Sequence, residues 1–502
     1  MDEAKRNRRN LIMFPLGTIG RDMVYTLVTN FLLTFVLFTR ELTAGQLSAI
    51  TLIMVGARIF DALNDPIMGN IIERTRTKHG KFKPWIVAGM LSTSAVIYAA
   101  FNVKLQGWSF VWFFGVIYFL YSITYTMGDI SYWGMIPSLS SDGDARNTFT
   151  ARTTLFAGIG GTGAGILIPM LTTGANAIGG STTIAFGRIA LVIAILCPAF
   201  LCFVLFGVKE NRDYNDEPVP PVSFKKIWGT LTGNDQLLWI ALIFLIHELG
   251  NGVVMSGVGS TYIYFEFGYE GGLYSLFTTI GMSVTALLMI FYPAISRKTP
   301  RKKFMRTLTR VALVGYVLML VPGLVLRAGA VTVGGMDLKF LLITLGYMLA
   351  NFGQYGFYLI LMISVINTVE YNEYVHGTRD EGIITSMRPF LTKLASALTV
   401  LIASGTYLLT GVTRYTNQIS SLENAAASGH LSESDKLTQI HELLQGVTHG
   451  QSMGLLLVMT ILPCALMIVS YVLYLRHYKL DEPEYDRICA ELKERRAHKK
   501  SV

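Results

Sequence analysis

An acidic cluster in the second long apolar stretch of the chain has the composition of a cation site. Asp61, Asn64 and Asp65 follow one another at i, i+3 and i+4, so a helix would place them on one face. Two carboxylates and an amide oxygen suit a small hard cation or a shared proton. Arg58 lies one turn earlier and could neutralise part of this charge. The alternative is a structural salt bridge that holds two helices together.

A second polar face lies in the fourth apolar stretch. Tyr125, Asp129 and Trp133 are four residues apart, so they share one side of a helix over two turns. A carboxylate accepts hydrogen bonds from hydroxyl groups, and an aromatic ring packs against the C–H face of a sugar. The spacing therefore favours a binding face for a polyhydroxylated ligand. An aromatic packing ridge with a helix-pairing aspartate is the alternative.

Other ionisable residues within apolar stretches are weaker candidates. Asp22 follows Arg21 in the first stretch, and Arg152 lies near the start of the fifth; either could sit at a membrane interface. Lys393 lies within the eleventh stretch, where it could contact a ligand or pair with an acid. The polar residues of 247–251 could line a cavity or form a structural network.

The chain as a whole has the composition of a membrane protein. Of its 502 residues, 52% are hydrophobic and 15% are charged, whereas a soluble domain usually carries about 25% charge. Stretches of roughly 20 apolar residues can cross a bilayer. Runs this long are helices, because barrel strands are shorter and alternate in polarity. The prediction is an all-α membrane protein with twelve transmembrane helices. The predicted spans are 11–39, 46–72, 84–103, 109–137, 151–173, 184–208, 237–265, 272–296, 307–326, 338–367, 383–411 and 451–476.

The distribution of Lys and Arg predicts the orientation of these spans. Basic residues concentrate at the amino end, between spans two and three, between spans eight and nine, and in the tail. Because short cytoplasmic loops are enriched in Lys and Arg, both termini are predicted to be cytoplasmic. The net charge of +9 is therefore assigned to topology, and no nucleic-acid partner is expected.

The longer connections predict the domain organisation. We expect an N-terminal six-helix bundle at 1–208, a cytoplasmic linker at 209–236, a C-terminal six-helix bundle at 237–476 and a cytoplasmic tail at 477–502. An external loop at 412–450 interrupts the second bundle. Its apolar residues recur at helical spacing, so it is predicted to contain a short surface helix capped by Ser432 or Ser434.

The sequence contains one motif that is typical of cofactor-binding enzymes, but its context argues against that function. Residues 158–163 match G-x-G-x-x-G, but that motif needs a preceding strand and an acid about 20 residues later; no Asp or Glu occurs in 145–209. Gly161 and Gly165 instead form a G-x-x-x-G face for close helix packing. The four cysteines are too scattered for a zinc site or a disulfide framework. Neither an enzyme nor a bound cofactor is predicted.

Several motifs resemble those of one transporter family. The strings are GTIGRD in span one, ARIFDALNDPIMG and KHGKFKPW around spans two and three, YTMGDISYWGMIP in span four, and VEYNEYVHGTRDEGIITS before span eleven. They are similar to the glycoside–pentoside–hexuronide:cation symporters, the melibiose permease-like family of the major facilitator superfamily. The likeness extends over nearly the whole chain in order. It implies the major facilitator fold and a carrier that couples uptake of a sugar or glycoside to Na⁺ or H⁺ by alternating access, in the lipid bilayer of a bacterial cell membrane.

The resemblance also implies a role for each matching residue. The residues implied to bind the coupling cation are Asp61, Asn64, Asp65 and Thr126. Those implied to bind the sugar are Asp22, Tyr125, Asp129, Trp133 and Arg152, with Lys393 near both sites. A cytoplasmic gate is expected near Arg74 and Lys81.

Two departures from the family leave the substrate open. Arg21 stands where the best-known member has a lysine, which keeps the charge but changes the hydrogen-bond geometry. The external loop at 412–450 is longer than expected. A hexuronide is the closest alternative substrate, because Arg21, Arg152 and Lys393 could serve its carboxylate. A lysolipid carrier of the same fold is a second alternative.

Overall fold

The computed structural model describes residues 3–139, 143–209, 224–296 and 298–501. Half of the predicted linker at 209–236, residues 210–223, therefore lies outside the described residues. The first part of the chain forms helices α1 Glu3–Leu16, α2 Thr18–Thr26, α3 Leu32–Thr39, α4 Ala44–Arg74, α5 Lys83–Asn102, α6 Gly107–Gly134, α7 Ile136–Leu139, α8 Gly143–Thr172, α9 Thr182–Cys202 and α10 Phe224–Gly233. Short π-helical turns lie at Leu27–Phe31 and Phe203–Gly207.

The second part of the chain is also helical. Its helices are α11 Asp235–Gly252, α12 Val258–Phe267, α13 Gly271–Ser296, α14 Arg301–Val325, α15 Leu338–His376, α16 Glu381–Thr410, α17 Thr413–Ala427, α18 Glu433–Gln445, α19 His449–His477 and α20 Glu482–Ser501. Two-residue strands β1 Thr332–Val333 and β2 Met336–Asp337 form a small antiparallel hairpin.

Eleven helical segments in the described ranges are long and apolar enough to cross a bilayer. They correspond to all the predicted spans except the seventh, so the prediction of an all-helical membrane protein is confirmed. The predicted helix in the external loop is confirmed as α18, and the Ser432 side chain caps it by accepting from the Asp435 amide. Helix α17 in the same loop was not predicted.

The prediction of one continuous seventh span at 237–265 is wrong. Helix α11 ends at Gly252 and α12 begins at Val258, with a 3₁₀ turn at Val254–Ser256 between them. Gly257 has φ +102, a left-handed conformation that glycine adopts far more readily than other residues. A Cβ at this position would lie 3.0 Å from the Tyr407 hydroxyl, so the break also needs a residue without a side chain.

The chain forms two compact units. The first contains residues 1–219, 255–276 and 403–451, and the second contains 220–254, 277–402 and 452–502. The first unit therefore joins the first six spans to α12 and to the external helices α17 and α18. These segments come from the second half of the sequence.

Helix α2 lies very close to α8 and α9 in the first unit. A Cβ on Gly20 would be 2.6 Å from the Cys197 Cα, and a Cβ on Gly160 would overlap the carbonyl group of Ile19. A Cβ on Gly165 would meet nothing within 4 Å. The predicted close-packing face is therefore wrong at Gly165, whereas a Cβ on Gly161 would lie 3.2 Å from Thr26 Oγ1 of α2. The closest approach is at Gly160.

In the second unit, α14 and α15 approach closely at small residues. The tail helix α20 packs against α15. A Cβ on Gly315 would lie 2.6 Å from the Gly346 carbonyl oxygen. Helix α20 buries Ile488. Ahead of it, the Lys302 ammonium lies 2.9 Å from the Asp481 carboxylate and holds the pKa of that carboxyl below its usual range.

Replacing Gly160 with Ala should lower the free energy of unfolding by about 1–3 kcal/mol, because the added methyl group overpacks the contact between α8 and α2. Gly165→Ala is the matched control, since the same change in the same helix meets no neighbour within 4 Å. Helix propensity alone predicts that the control is stabilised by at most about 1 kcal/mol. Thermal unfolding of the two purified variants in one detergent compares them. Equal melting temperatures would contradict this account of α2.

Candidate functional site

The buried guanidinium of Arg21 is the centre of the candidate substrate site. Its side chain is 4% exposed and lies on α2, where the packing against α8 and α9 holds it. Nη2 lies 2.7 Å from Asp22 Oδ2, and Nη1 lies 2.6 Å from Asp129 Oδ1 on α6. The Thr18 hydroxyl also donates to Asp22 Oδ2, at 2.6 Å. The Arg21 guanidinium thus pairs with both aspartates, Asp22 and Asp129, that the family resemblance implies to bind sugar.

Aromatic rings of α6 surround the same guanidinium. The Arg21 Cζ atom lies 5.0 Å from the centroid of the Trp133 ring and 5.2 Å from that of Tyr132. Both distances allow a cation–π interaction. Tyr125 stacks on Tyr121 with centroids 5.4 Å apart and lies 5.9 Å from Tyr25 of α2. The structure therefore brings Asp22, Asp129 and Trp133 together on Arg21, with Tyr125 between α6 and α2.

The charges of this cluster do not cancel. Arg21 contributes one positive charge, and Asp22 and Asp129 contribute two negative charges, so the three side chains carry a net charge of about −1 when all are ionised. Asp129 is 34% exposed, against 17% for Asp22. Asp129 is therefore the carboxylate that an incoming hydroxyl group can reach most easily.

A second group of oxygen atoms lies around Asp61 on α4. The Thr126 hydroxyl donates to Asp61 Oδ1 at 3.0 Å, and the Ser122 hydroxyl donates to the same oxygen at 2.5 Å. Helix α4 runs without a break past Asp61, so Asn64 and Asp65 follow on the same side. The donor set consists of carboxylate, amide and hydroxyl oxygens, which fits Na⁺ or a shared proton.

Sequence reasoning missed Ser122. It lies one helical turn before Thr126 on α6, so both hydroxyl groups face α4. The only sequence signal was this spacing of four between two hydroxyl residues, and Ser and Thr in apolar helices usually bond to their own backbone. The side-chain amide nitrogen of Asn64 is also buried and has no hydrogen-bond partner among the described residues.

Helix α6 carries residues of both groups. Thr126 contacts Asp61, and Asp129, three residues later, contacts Arg21. Residues three apart are neighbours on a helix. A change in charge at Asp61 therefore acts within one helical turn of the carboxylate that holds Arg21.

The remaining predicted residues lie elsewhere. Arg152 is exposed, and its Nη1 donates to the Leu11 carbonyl oxygen at 3.4 Å. Lys393 is half-buried on α16 and belongs to the second unit, whereas the other candidate residues belong to the first. Arg74 is the last residue of α4 and is exposed. Lys81 lies in the loop after α4, and its Nζ is 3.1 Å from Oε2 of Glu73 in α4.

Comparison with known proteins identifies the family. A family profile described as MFS/sugar transport protein matches residues 13–482. The chain belongs to this family. The resemblance to the glycoside–pentoside–hexuronide:cation symporters of the major facilitator superfamily is confirmed, and this transporter is a multi-pass membrane protein.

Curated relatives of the transporter carry the names of sugar carriers. It is 25% identical to the lactose permease of Lactobacillus helveticus, over 96% of this chain and 72% of that protein. It is also 25% identical to the raffinose carrier protein of Pediococcus pentosaceus, over 96% of this chain and 71% of that protein. The chain spans less than two thirds of the length of two further lactose permeases.

A solved structure shares the fold. The bacterial homologue of the human lysosomal transporter Spinster, in its inward-facing and occupied conformation, superposes with a TM-score of 0.61 at 11% identity. The match covers 94% of this chain and 96% of that one. The predicted major facilitator fold is confirmed.

Replacing Arg21 with Gln should destabilise the transporter strongly, because it leaves the Asp22 and Asp129 carboxylates without their counter-ion. Breaking a buried pair costs about 3–5 kcal/mol, and the partial exposure of Asp129 places the loss near the low end. Arg152→Gln is the matched control, since an exposed arginine should change stability by no more than about 0.5 kcal/mol. Thermal unfolding measures both variants. A melting temperature for Arg21→Gln as high as that of the control would show that the ion pairs do not stabilise the site.

Proposed function

We propose that this protein is a secondary active transporter that carries a neutral sugar or glycoside together with Na⁺ or H⁺ by alternating access. Two six-helix sequence halves, 1–208 and 237–476, would rock around a central pathway. The observation that carries the proposal is the adjacency, on α6, of Thr126 bonded to Asp61 and Asp129 bonded to Arg21. The names of the lactose and raffinose relatives support a sugar as the substrate.

The sugar is held mainly by α2 and α6. The Asp129 and Asp22 carboxylates accept hydrogen bonds from its hydroxyl groups, and Trp133 packs against its C–H face. Arg21 orients both carboxylates through its two ion pairs, so the acceptors are in position before the sugar binds. Tyr125 lines the same face of α6.

The charge of the cluster favours a neutral sugar over a hexuronide. A hexuronide carboxylate needs a cation with a free bonding direction, whereas Arg21 already contacts two carboxylates at 2.7 and 2.6 Å. The anion would therefore approach a group of net negative charge, which selects against it. Neutral hydroxyl groups meet no such penalty.

The coupling cation binds at Asp61, Asn64, Asp65 and Thr126. Na⁺ or H⁺ neutralises part of the acidic cluster on α4 and changes the field at Asp129, one turn along α6 from Thr126. The resulting coupling free energy is reciprocal and typically about 1–3 kcal/mol. Cation binding therefore raises the affinity for sugar, and sugar binding raises the affinity for the cation by the same factor.

The rest of the cycle follows from the predicted topology. With both termini in the cytoplasm of a bacterial cell, the loop after α4 lies at the inner end of the pathway, where Arg74 and Lys81 form part of a gate. The pair between Lys81 and Glu73 at 3.1 Å is one contact there that can open and close. The carrier acts in the cell membrane, catalyses no covalent reaction and needs no cofactor beyond the coupling cation. It has no nucleic-acid partner.

Uptake into proteoliposomes tests the proposal. Labelled β-galactosides, α-galactosides, glucosides, xylosides and a glucuronide are each offered under an imposed Na⁺ gradient and, separately, under a proton gradient. We expect uphill accumulation of a neutral sugar under one of the gradients. Asp129→Asn is the control, because it keeps the shape of the residue but removes the carboxylate that binds hydroxyl groups.

The outcomes separate the candidate substrates. Accumulation of the glucuronide in preference to every neutral sugar would contradict the charge argument and favour the hexuronide alternative. No accumulation of any sugar by folded protein would contradict sugar transport, and transport of a labelled lysolipid would then identify the other alternative.

A further inference from the structure

Helices α17 and α18 form a hairpin that joins α16 to α19. This α17–α18 hairpin comprises Thr413–Ala427 and Glu433–Gln445 and belongs to the first compact unit. The positive-inside pattern predicts that it lies outside the cell. It packs against α3 and the start of α9, which belong to the first six spans.

A completely buried ion pair fastens the hairpin. Glu423 and Lys436 are both 0% exposed and lie 3.3 Å apart. Each also reaches across to the segment where α9 begins. Glu423 accepts from the Thr182 backbone N–H at 2.7 Å and from its hydroxyl at 3.1 Å, and the Lys436 ammonium donates to the Gly180 carbonyl at 2.7 Å. The docked hairpin therefore supplies both buried charges with hydrogen bonds from residues outside it.

A second anchor lies at the end of α3. The Asn417 side chain bonds to both backbone groups of Leu42, since it accepts from the N–H at 2.9 Å and donates to the carbonyl at 2.9 Å. Asn424 donates to the Thr39 carbonyl at 3.1 Å. Both asparagine side chains thus supply hydrogen-bond partners to backbone groups at and after the end of α3, which have no partner within that helix.

Beneath the hairpin, the outer end of α16 meets the outer end of α4. The Thr51 hydroxyl donates to the Ser404 hydroxyl at 2.7 Å, and both side chains are buried. Nearby, the hydroxyl groups of Thr261 and Tyr407 lie 3.0 Å apart. Segments from both halves of the sequence are therefore packed together at the predicted extracellular end.

We propose that the α17–α18 hairpin is an extracellular latch that holds the outer end of the transport pathway closed. The inference rests on the alternating-access function proposed above. A buried ion pair is stable only when its hydrogen bonds are complete, because a stranded buried charge is very unfavourable. Partial release would take hydrogen bonds from charges that are still buried, so the docked hairpin resists opening, and its release is a condition for opening to the outside.

The test measures how often the outer end opens. Ser404→Cys is labelled from outside intact cells with a membrane-impermeant thiol reagent, and mass spectrometry of peptides separates this cysteine from the four native ones. Adding Glu423→Gln strands the Lys436 ammonium, so labelling should become about tenfold faster or more, given the cost of an uncompensated buried charge. Glu442→Gln, an exposed carboxylate on α18, is the matched control and should leave the rate unchanged.

Two further variants on the Ser404→Cys background separate release of the latch from misfolding. In Glu423→Gln/Lys436→Met no charge is stranded, so the labelling rate should fall back towards that of the parent. Asn417→Ala removes the anchor on Leu42 without touching the ion pair, and should raise the rate about fivefold, as expected for two lost hydrogen bonds. Each variant is first checked for a single symmetric peak in gel filtration.

Equal labelling rates for Glu423→Gln, Asn417→Ala and Glu442→Gln would overturn the latch. A double variant labelled as fast as Glu423→Gln alone would overturn the role of the buried pair as its fastening. The measurement needs no sugar and no ion gradient, so its failure is distinguishable from a failure of the proposed transport function.

Discussion

The buried guanidinium of Arg21 is the interaction on which the rest of the site depends. A charged group within an apolar span is costly unless it is paired, and Arg21 draws its partners from α2 and α6. This arrangement requires α2 to lie deep in the bundle, which the absence of side chains on Gly20 and Gly160 allows. Glycine thus sets the distance between the helices, and the ion pairs set the orientation of the acids. Loss of either would change the position of Asp129.

Helix α6 links the Arg21 cluster to the oxygen atoms around Asp61. Its Ser122 and Thr126 hydroxyl groups bond to Asp61 of α4, and its Asp129 bonds to Arg21 of α2. The helix therefore contacts both proposed ligand sites through side chains within two turns. A cation that bound Asp61 would meet the oxygen to which these two hydroxyl groups donate, one helical turn along α6 from Asp129.

Much of this site could be predicted from spacing within single helices. The acids of 57–66 were visible because i, i+3 and i+4 positions share a face, and the family motifs added Thr126. Features that depend on partners distant in sequence were not visible. Ser122 could be recognised only from its hydrogen bond to Asp61 on another helix. The need for glycine at the break at Gly257 comes from its close approach to Tyr407. The Glu423–Lys436 pair spans a turn between two helices, which no helical periodicity reveals.

The central claim is that the cation and the sugar bind to adjacent sites that share α6. The most direct test is the equilibrium affinity for the transported sugar, measured with and without the coupling cation by isothermal titration calorimetry, together with the converse titration. We predict that each ligand raises the affinity for the other by one common factor of about 5–150, and that Asp61→Asn loses this factor while it still binds the sugar. A sugar affinity that does not change with the cation would contradict the account.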